Sequence, residues 1–507
     1  KNPVWIHFGA GNIFRAFQAM LAQELLEKNL TDTGIIVAEG FDLDIIDKAY
    51  RPYDNLSLLV TLKSDGSITK TVAASVAESY KCDPSFPDDW NALAEIFRSK
   101  SLALVTFTIT EKGYAVKNSD ENFLPAYCAD FEAGPDKAKM FLSRLCALLY
   151  GRYLHADKHP VALVSTDNCS HNGEKLQAAI RSIAGEWQKR GFVEEGFIDY
   201  ISSPESVSFP WSMIDKITPR PDAGVQAQLK ADGFEDAEII VTDKHTYTAS
   251  FVNAESPQYL VIEDAFPNGR PPLEKAGVYF TTRDTVNKVE RMKVCTCLNP
   301  LHTALAIYGC LLGYTLIADE MKDAELNTLV HRIGYDEGLP VVTDPKIIDP
   351  KKFIDEVVTV RIPNPFMPDT PQRIACDTSQ KLSIRFGETI KAYAADPALG
   401  THKLKYIPLV LAGWCRYLMA LDDEGKKFEL SPDPLLGRVC PFVEKIELGR
   451  TYTAEALDGF LHGLLSDASL FGVDLYAAGL APLVLEYFGE LTAGKGAVRA
   501  ALKKHIR

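Results

Sequence analysis

Lys293, Asn299 and His302 stand in the stretch VERMKVCTCLNPLHTALA, where an ammonium, an amide and an imidazole fall within ten residues at the mouth of an apolar, helix-patterned segment. Removing hydride from a secondary alcohol requires a base for the hydroxyl proton and donors for the oxygen as it gains negative charge. These side chains supply both roles without a metal. If the segment is helical, Asn299 and His302 at i and i+3 share a face. Lys293 lies six residues before Asn299, about 600° around at roughly 100° per residue, so only a looser first turn brings it back. The competing reading is a solvated lysine, a capping asparagine and a core histidine satisfied by its neighbours.

The elements that would position such a site begin at the N-terminus, VWIHFGAGNIFRAFQAMLAQELLEKN. A β-branched and aromatic run from Val4 to Phe8 enters Gly9-Ala10-Gly11, and a helical pattern starts near Ile13. Strand, glycine turn and helix together let backbone N–H groups approach a pyrophosphate at the helix N-terminus. Gly9, Gly11, Asn12, Ile13, Phe14 and Arg15 are the candidate residues, with Arg15 free to meet a phosphate. The fingerprint is incomplete, because Phe14 occupies its third glycine position, and a tight turn without ligand remains the alternative. The next strand, in TGIIVAEGFDLD, ends at Glu39. A carboxylate there can accept from the adenosine ribose hydroxyls and would repel a 2′-phosphate, which favours NAD over NADP. Asp42 is the second candidate, with helix capping as its alternative role. Gly9 and Glu39 are 30 residues apart (39 − 9), against the usual ~20, so the first crossover must be long.

The chain has 507 residues, is 46% hydrophobic and 24% charged, and carries a formal charge of −14. This composition supports a large multi-domain globular protein and argues against a general nucleic-acid or anionic-membrane surface. No charged-apolar-small signal opens the chain, Lys1 in place of methionine reads as a trimmed start, and no apolar run approaches about 18 residues. A cytoplasmic location is therefore expected. Ten cysteines are scattered without a CxxC pair, pointing to free thiols and no metal site. The pattern changes near residue 290. Residues 1–290 alternate β-rich and helical runs, an α/β Rossmann-type domain with extra elements; residues 291–507 are mostly helical, with stretches expected at 301–319, 379–395, 405–422, 454–466 and 475–491. The Lys/Asn/His triplet falls at that junction, a common place for pockets.

Taken in order, GAGNIFRAF, TITEKGY (108–114), STDNCSHNG (165–173), FPWSMIDKITP (209–219), KVCTCLNPLH and NPFMPDTPQRIACDTSQK (364–381) resemble the polyol-specific long-chain dehydrogenase, or mannitol dehydrogenase, family. The resemblance spans roughly residues 4–400. It implies a Rossmann-type domain, a helical C-terminal domain, and a cleft between them for nicotinamide and substrate. By the same resemblance Lys293 is the general base in oxidation and acid in reduction, Asn299 stabilises the oxyanion and His302 positions substrate. Asn168 in STDN is similar to a second asparagine on the same oxygen, with turn formation as its alternative. Lys381 matches a further lysine near the substrate. One departure is that the family usually has one residue fewer between the lysine and the asparagine, so Lys293 requires a local bulge.

Glu-Lys-Gly-Tyr at 111–114 and Cys-Leu-Asn-Pro-Leu-His at 297–302 look like the uronate branch. They imply an NAD-dependent, metal-independent oxidoreductase acting on a small-molecule sugar acid, D-mannonate with D-fructuronate. Altronate with tagaturonate and mannitol with fructose are the alternatives. A substrate carboxylate calls for Arg or Lys, and Arg373 and Lys381 are the candidates, against capping and surface pairing. A reading from another class is a dinucleotide-binding regulatory protein without turnover.

Overall fold

The computed structural model describes residues 2–506. The chain divides into two compact units: Lys1–Leu62 with Ser67–Asn287, and Lys63–Gly66 with Lys288–Arg507.

The first unit is built on six strands: β1 (Trp5–Phe8), β2 (Ile35–Glu39), β3 (Val76–Lys81), β4 (Leu104–Phe107), β5 (Val161–Ser165) and β6 (Val207–Ser208). They run parallel in the order β3-β2-β1-β4-β5-β6. This is the doubly wound dinucleotide-binding order, whose direction of winding reverses between β1 and β4. Parallel sheets are covered on both faces, so their strands read as unbroken apolar runs. Accordingly β1, β2, β4 and β5 are buried at every position. Ile6, Phe8, Val105 and Leu163 feed the core on one face, and Trp5, Val37, Leu104 and Val164 that on the other. Two three-stranded sheets extend the unit, one of 57–62, 68–73 and 251–255, the other of 212–215, 259–263 and 279–281.

The second unit is helical. Its central helix, Asn299–Leu312, buries eleven of its residues, as an all-round apolar pattern requires. The helical run Arg283–Leu312 reaches the length and apolarity of a membrane span, yet 83% of its most apolar stretch is buried inside the fold. The expected helix over 301–319 stops at Leu312, because Gly313 takes a left-handed φ of 77° and caps it, as glycine does after a helix end. The expected helix over 379–395 breaks into a 3-10 turn at Thr378–Gln380, a π-turn at Ser383–Gly387 and an α-helix at Glu388–Ala395. The one expected over 475–491 begins only at Ala481, where Pro482 occupies its first turn, the position proline favours.

Glu320 is wholly buried and neither carboxyl oxygen has a hydrogen-bond partner among the described residues. Burial, with Asp323 nearby, pushes its pKa up to about 9. An unfolded chain ionises this group near 4.5, whereas the folded chain holds it neutral. Its contribution to stability is therefore fully present below 4.5 and is progressively lost as pH rises toward 9. Glu320→Gln, the neutral isostere, should raise the thermal midpoint at pH 8 by the equivalent of a few kcal/mol, each pH unit between the two values being worth about 1.4 kcal/mol. The gain should vanish near pH 4.5 in a melting series. Equal gains at both pH values would contradict a neutral Glu320.

Candidate active site

In the first unit the glycine turn sits where the sheet reverses its winding. Gly9 has φ of 112°, and a Cβ on it would lie 2.5 Å from the Thr108 carbonyl oxygen just past β4. Only glycine suits that conformation and that approach. Ala10 is fixed at both ends: its N–H donates to Glu39 Oε2 at 2.7 Å, and its carbonyl accepts from the Tyr50 hydroxyl at 2.8 Å. A Cβ on Gly11 meets nothing within 4 Å, so that side of the turn stays open. The helix then begins with a π-turn, Phe14–Gln18. Phe14 is buried and stacked on His7, with ring centroids 4.6 Å apart, which is how a large side chain is housed where a third glycine was sought.

Arg15 is placed otherwise than the sequence suggested. It is wholly buried, donating to the Ala249 carbonyl at 2.6 Å, to Asn12 Oδ1 at 2.9 Å and to Thr248 Oγ1 at 3.1 Å. Its guanidinium is thus turned into the protein, and the open N–H groups of the first helical turn are left as the anion-facing groups. Glu39 is also deeply set. Besides Ala10, it accepts from the Phe41 and Asp42 N–H groups at 2.8 and 3.2 Å; burial raises its pKa and these bonds oppose the rise. Asp42 is buried and accepts from Thr242 Oγ1 at 2.6 Å. Asn168 is exposed just past β5. Its neighbour Asp167 is bonded to the Tyr114 hydroxyl, accepts from the Cys169 N–H at 3.1 Å, and has its pKa raised to about 6 by burial.

In the second unit, Lys293 is only 7% exposed and opens a π-turn, Lys293–Cys297, closed by the Leu298 N–H donating to the Lys293 carbonyl at 3.1 Å. A π-turn takes in one residue more than an α-turn, which is the bulge the long Lys293–Asn299 spacing demands. Leu298 then leaves helical geometry (φ −130°, ψ −61°), and Asn299 restarts the helix with Pro300 in its first turn. The Asn299 side chain is half-buried and makes no hydrogen bond to a described residue, so its donors are open. His302, one turn on, has Nε2 3.9 Å from Asp369 Oδ2. Burial, and then the charges of Arg385, Arg361 and Arg373, lower its pKa to about 3, so its ring is neutral at physiological pH.

The candidate carboxylate residues separate. Arg373 has a side chain that is 62% exposed and paired with Asp369. Lys381 is half-buried, donates to the Cys376 carbonyl at 2.5 Å, and has its pKa lowered by burial and by Arg385. Arg361 and Arg385, which the sequence reading passed over, join Arg373 around His302. Arg385 lies four residues past Lys381, a helical spacing that could have flagged it. Among the described residues, no group of three or more His, Cys, Asp or Glu side chains is arranged to hold a metal.

Comparison with known proteins identifies the family and the fold. The mannitol dehydrogenase Rossmann domain matches residues 4–275 and the mannitol dehydrogenase C-terminal domain matches residues 285–476. The chain belongs to the mannitol dehydrogenase family. It is 54% identical to D-mannonate oxidoreductase of Thermotoga maritima over 508 aligned residues, covering 100% of this chain and 93% of that protein. Among solved structures it resembles mannitol 2-dehydrogenase of Pseudomonas fluorescens in ternary complex with NAD and D-mannitol (TM-score 0.68, 26% identity, 99% and 94% of the two chains). It also resembles D-sorbitol dehydrogenase in substrate-free form (TM-score 0.75, 25% identity, 95% of each chain).

Proposed function

We propose that this family member is an NAD-dependent oxidoreductase that interconverts a sugar acid and its keto form, D-mannonate and D-fructuronate. The observation that carries the reading is the gathering of Arg361, Arg373 and Arg385 around a neutral His302, one turn from the open Asn299 amide, in a chain of net charge −14. These guanidinium charges, that of Arg373 being met by Asp369, make the surroundings of His302 positive in an acidic chain, which favours an anionic substrate. The 54% identity to a D-mannonate oxidoreductase over the whole chain supports the same choice.

The glycine turn fits a dinucleotide. Its Gly9 bend and the unfilled space at Gly11 admit a pyrophosphate, with the N–H groups of Gly11, Asn12, Ile13 and Phe14 facing it and Glu39 or Asp42 at the ribose. When bound, the nicotinamide supplies the acceptor or donor of hydride. Lys293 exchanges the proton of the substrate hydroxyl, and the Asn299 amide donates to the oxygen as it gains charge. Asn168 keeps the role of second donor that the family resemblance gives it. Neutral His302 orients a hydroxyl rather than titrating. Free thiols at all ten cysteines suit the reducing, cytoplasmic location included in this proposal.

A panel of D-fructuronate, D-tagaturonate and D-fructose assayed with NADH and NADPH tests the reading, with fructuronate and NADH expected to give the highest kcat/KM. Fructose as the best substrate would contradict it. The same assay addresses Glu39. Glu39→Ala should narrow the NADH preference and, by leaving the Ala10 N–H unpaired, raise KM for both cofactors, a buried orphaned donor costing about 1–3 kcal/mol. An unchanged NADH/NADPH ratio would move the ribose contact to Asp42.

A further inference from the structure

Arg385 sits on the Ser383–Gly387 π-turn, which packs against both the Lys293–Cys297 turn and the Asn299–Leu312 helix. Among the described residues its side chain makes one hydrogen bond, from Nη1 to Thr303 Oγ1 at 2.5 Å, and Thr303 Oγ1 in turn donates to the Asn299 carbonyl at 2.8 Å. The guanidinium is thereby tied to the first turn of the helix carrying Asn299 and His302. Among the described residues it makes no ion pair. That separates it from Arg373, whose charge is met by Asp369. Arg385 is also withdrawn from solvent far enough that burial lowers its pKa to about 10. An arginine offers five N–H donors in a planar fork matched to a carboxylate, and Thr303 occupies one.

We infer that Arg385 binds the carboxylate of the sugar-acid substrate and thereby sets the preference for acids over neutral ketoses, an assignment that rests on the sugar-acid reading above. Thr303 fixes the direction of the fork, and Asp369 steers Arg373 away from the role. Substrate charge then replaces the missing ion-pair partner, with two parallel charge-assisted hydrogen bonds in place of water. Lys381, made less basic by burial and then by the Arg385 charge, is held by the Cys376 carbonyl.

The test is the ratio of kcat/KM for D-fructuronate to that for D-fructose, measured with NADH in the wild type, Arg385→Gln and Arg385→Lys, with NADH affinity checked by fluorescence titration. Arg385→Gln should lower the acid-to-ketose ratio at least about 30-fold, as expected for loss of a charged hydrogen-bond pair. Arg385→Lys should lower it at least about fivefold, because a point charge replaces the fork. A wild-type ratio retained in the variants, or acid and ketose rates falling together, would overturn the Arg385 assignment while leaving the sugar-acid reading intact. A wild type that shows no preference for the acid would overturn that reading and this inference with it. Should Arg385→Gln fail to fold, the lysine variant decides alone, and an unchanged ratio in it contradicts the assignment.

Discussion

Lys293→Ala should lower kcat by at least about 10²-fold, the lower bound for loss of a positioned proton-transfer group, while NADH affinity stays near the wild-type value. Two features make the expected loss large. Lys293 is buried at the start of a π-turn that absorbs the additional residue before Asn299, so its position is set by the backbone rather than by a mobile surface side chain. His302 cannot replace it as a proton donor, because burial and the surrounding arginines keep its ring neutral, with a pKa lowered to about 3. Asn299→Ala should also cut kcat, by an amount typical of losing one oxyanion donor, about 2.7–4 kcal/mol of barrier. Steady-state rates with tight binding of NADH checked separately decide the matter. A Lys293→Ala enzyme with near-normal turnover would remove Lys293 from the mechanism and pass the proton role to Lys381.

Gly9→Ala and Gly11→Ala should fail in different ways. At Gly9 the left-handed φ of 112° and the Thr108 carbonyl 2.5 Å from a new Cβ impose strain of about 1–3 kcal/mol from the backbone alone, with the clash added. The turn must shift, and both thermal stability and NADH affinity should fall, the affinity by at least about tenfold. At Gly11 a Cβ meets no protein atom within 4 Å, so the fold should melt like the wild type. Any loss of NADH binding there reports the close approach of the dinucleotide itself. Melting curves and NADH titrations on the two variants check this pair. Wild-type stability and affinity in Gly9→Ala would contradict the geometry of the turn.

The sequence disclosed those parts of the fold whose cause is local. Fully buried parallel strands read as apolar runs, so WIHF and IIVAE were visible as strands, and Gly9 marked the turn at the reversal of the sheet. Helix caps were less visible: Gly313 ends the central helix seven residues before the expected limit. Of the π-turns, only the one at Lys293 left a trace, as the long spacing to Asn299. An i→i+5 hydrogen bond leaves no composition signal; it only slips the phase of the apolar pattern by one residue. Lys293, Phe14 with Arg15, Arg361 and Arg385 all lie on such turns, so angular reckoning along an ideal helix does not apply to them. Burial of charge was equally hidden. Arg15 looked ready for a phosphate because it follows the glycine turn, yet its partners are the Thr248 and Ala249 groups more than 230 residues away. Arg373 and Arg385 part company because one is paired locally with Asp369, four residues before it, and the other reaches Thr303, 82 residues away.

The central claim is that this chain moves hydride between a nicotinamide and the keto carbon of a sugar acid. Incubating the enzyme with D-fructuronate and NADH carrying deuterium on the transferred face of C4 tests it most directly, with the product read by mass spectrometry and NMR. The account predicts one deuterium per product molecule, bonded to the carbon that bore the keto oxygen, in step with the NAD formed. Binding of NADH without turnover, or product lacking deuterium at that carbon, would contradict it.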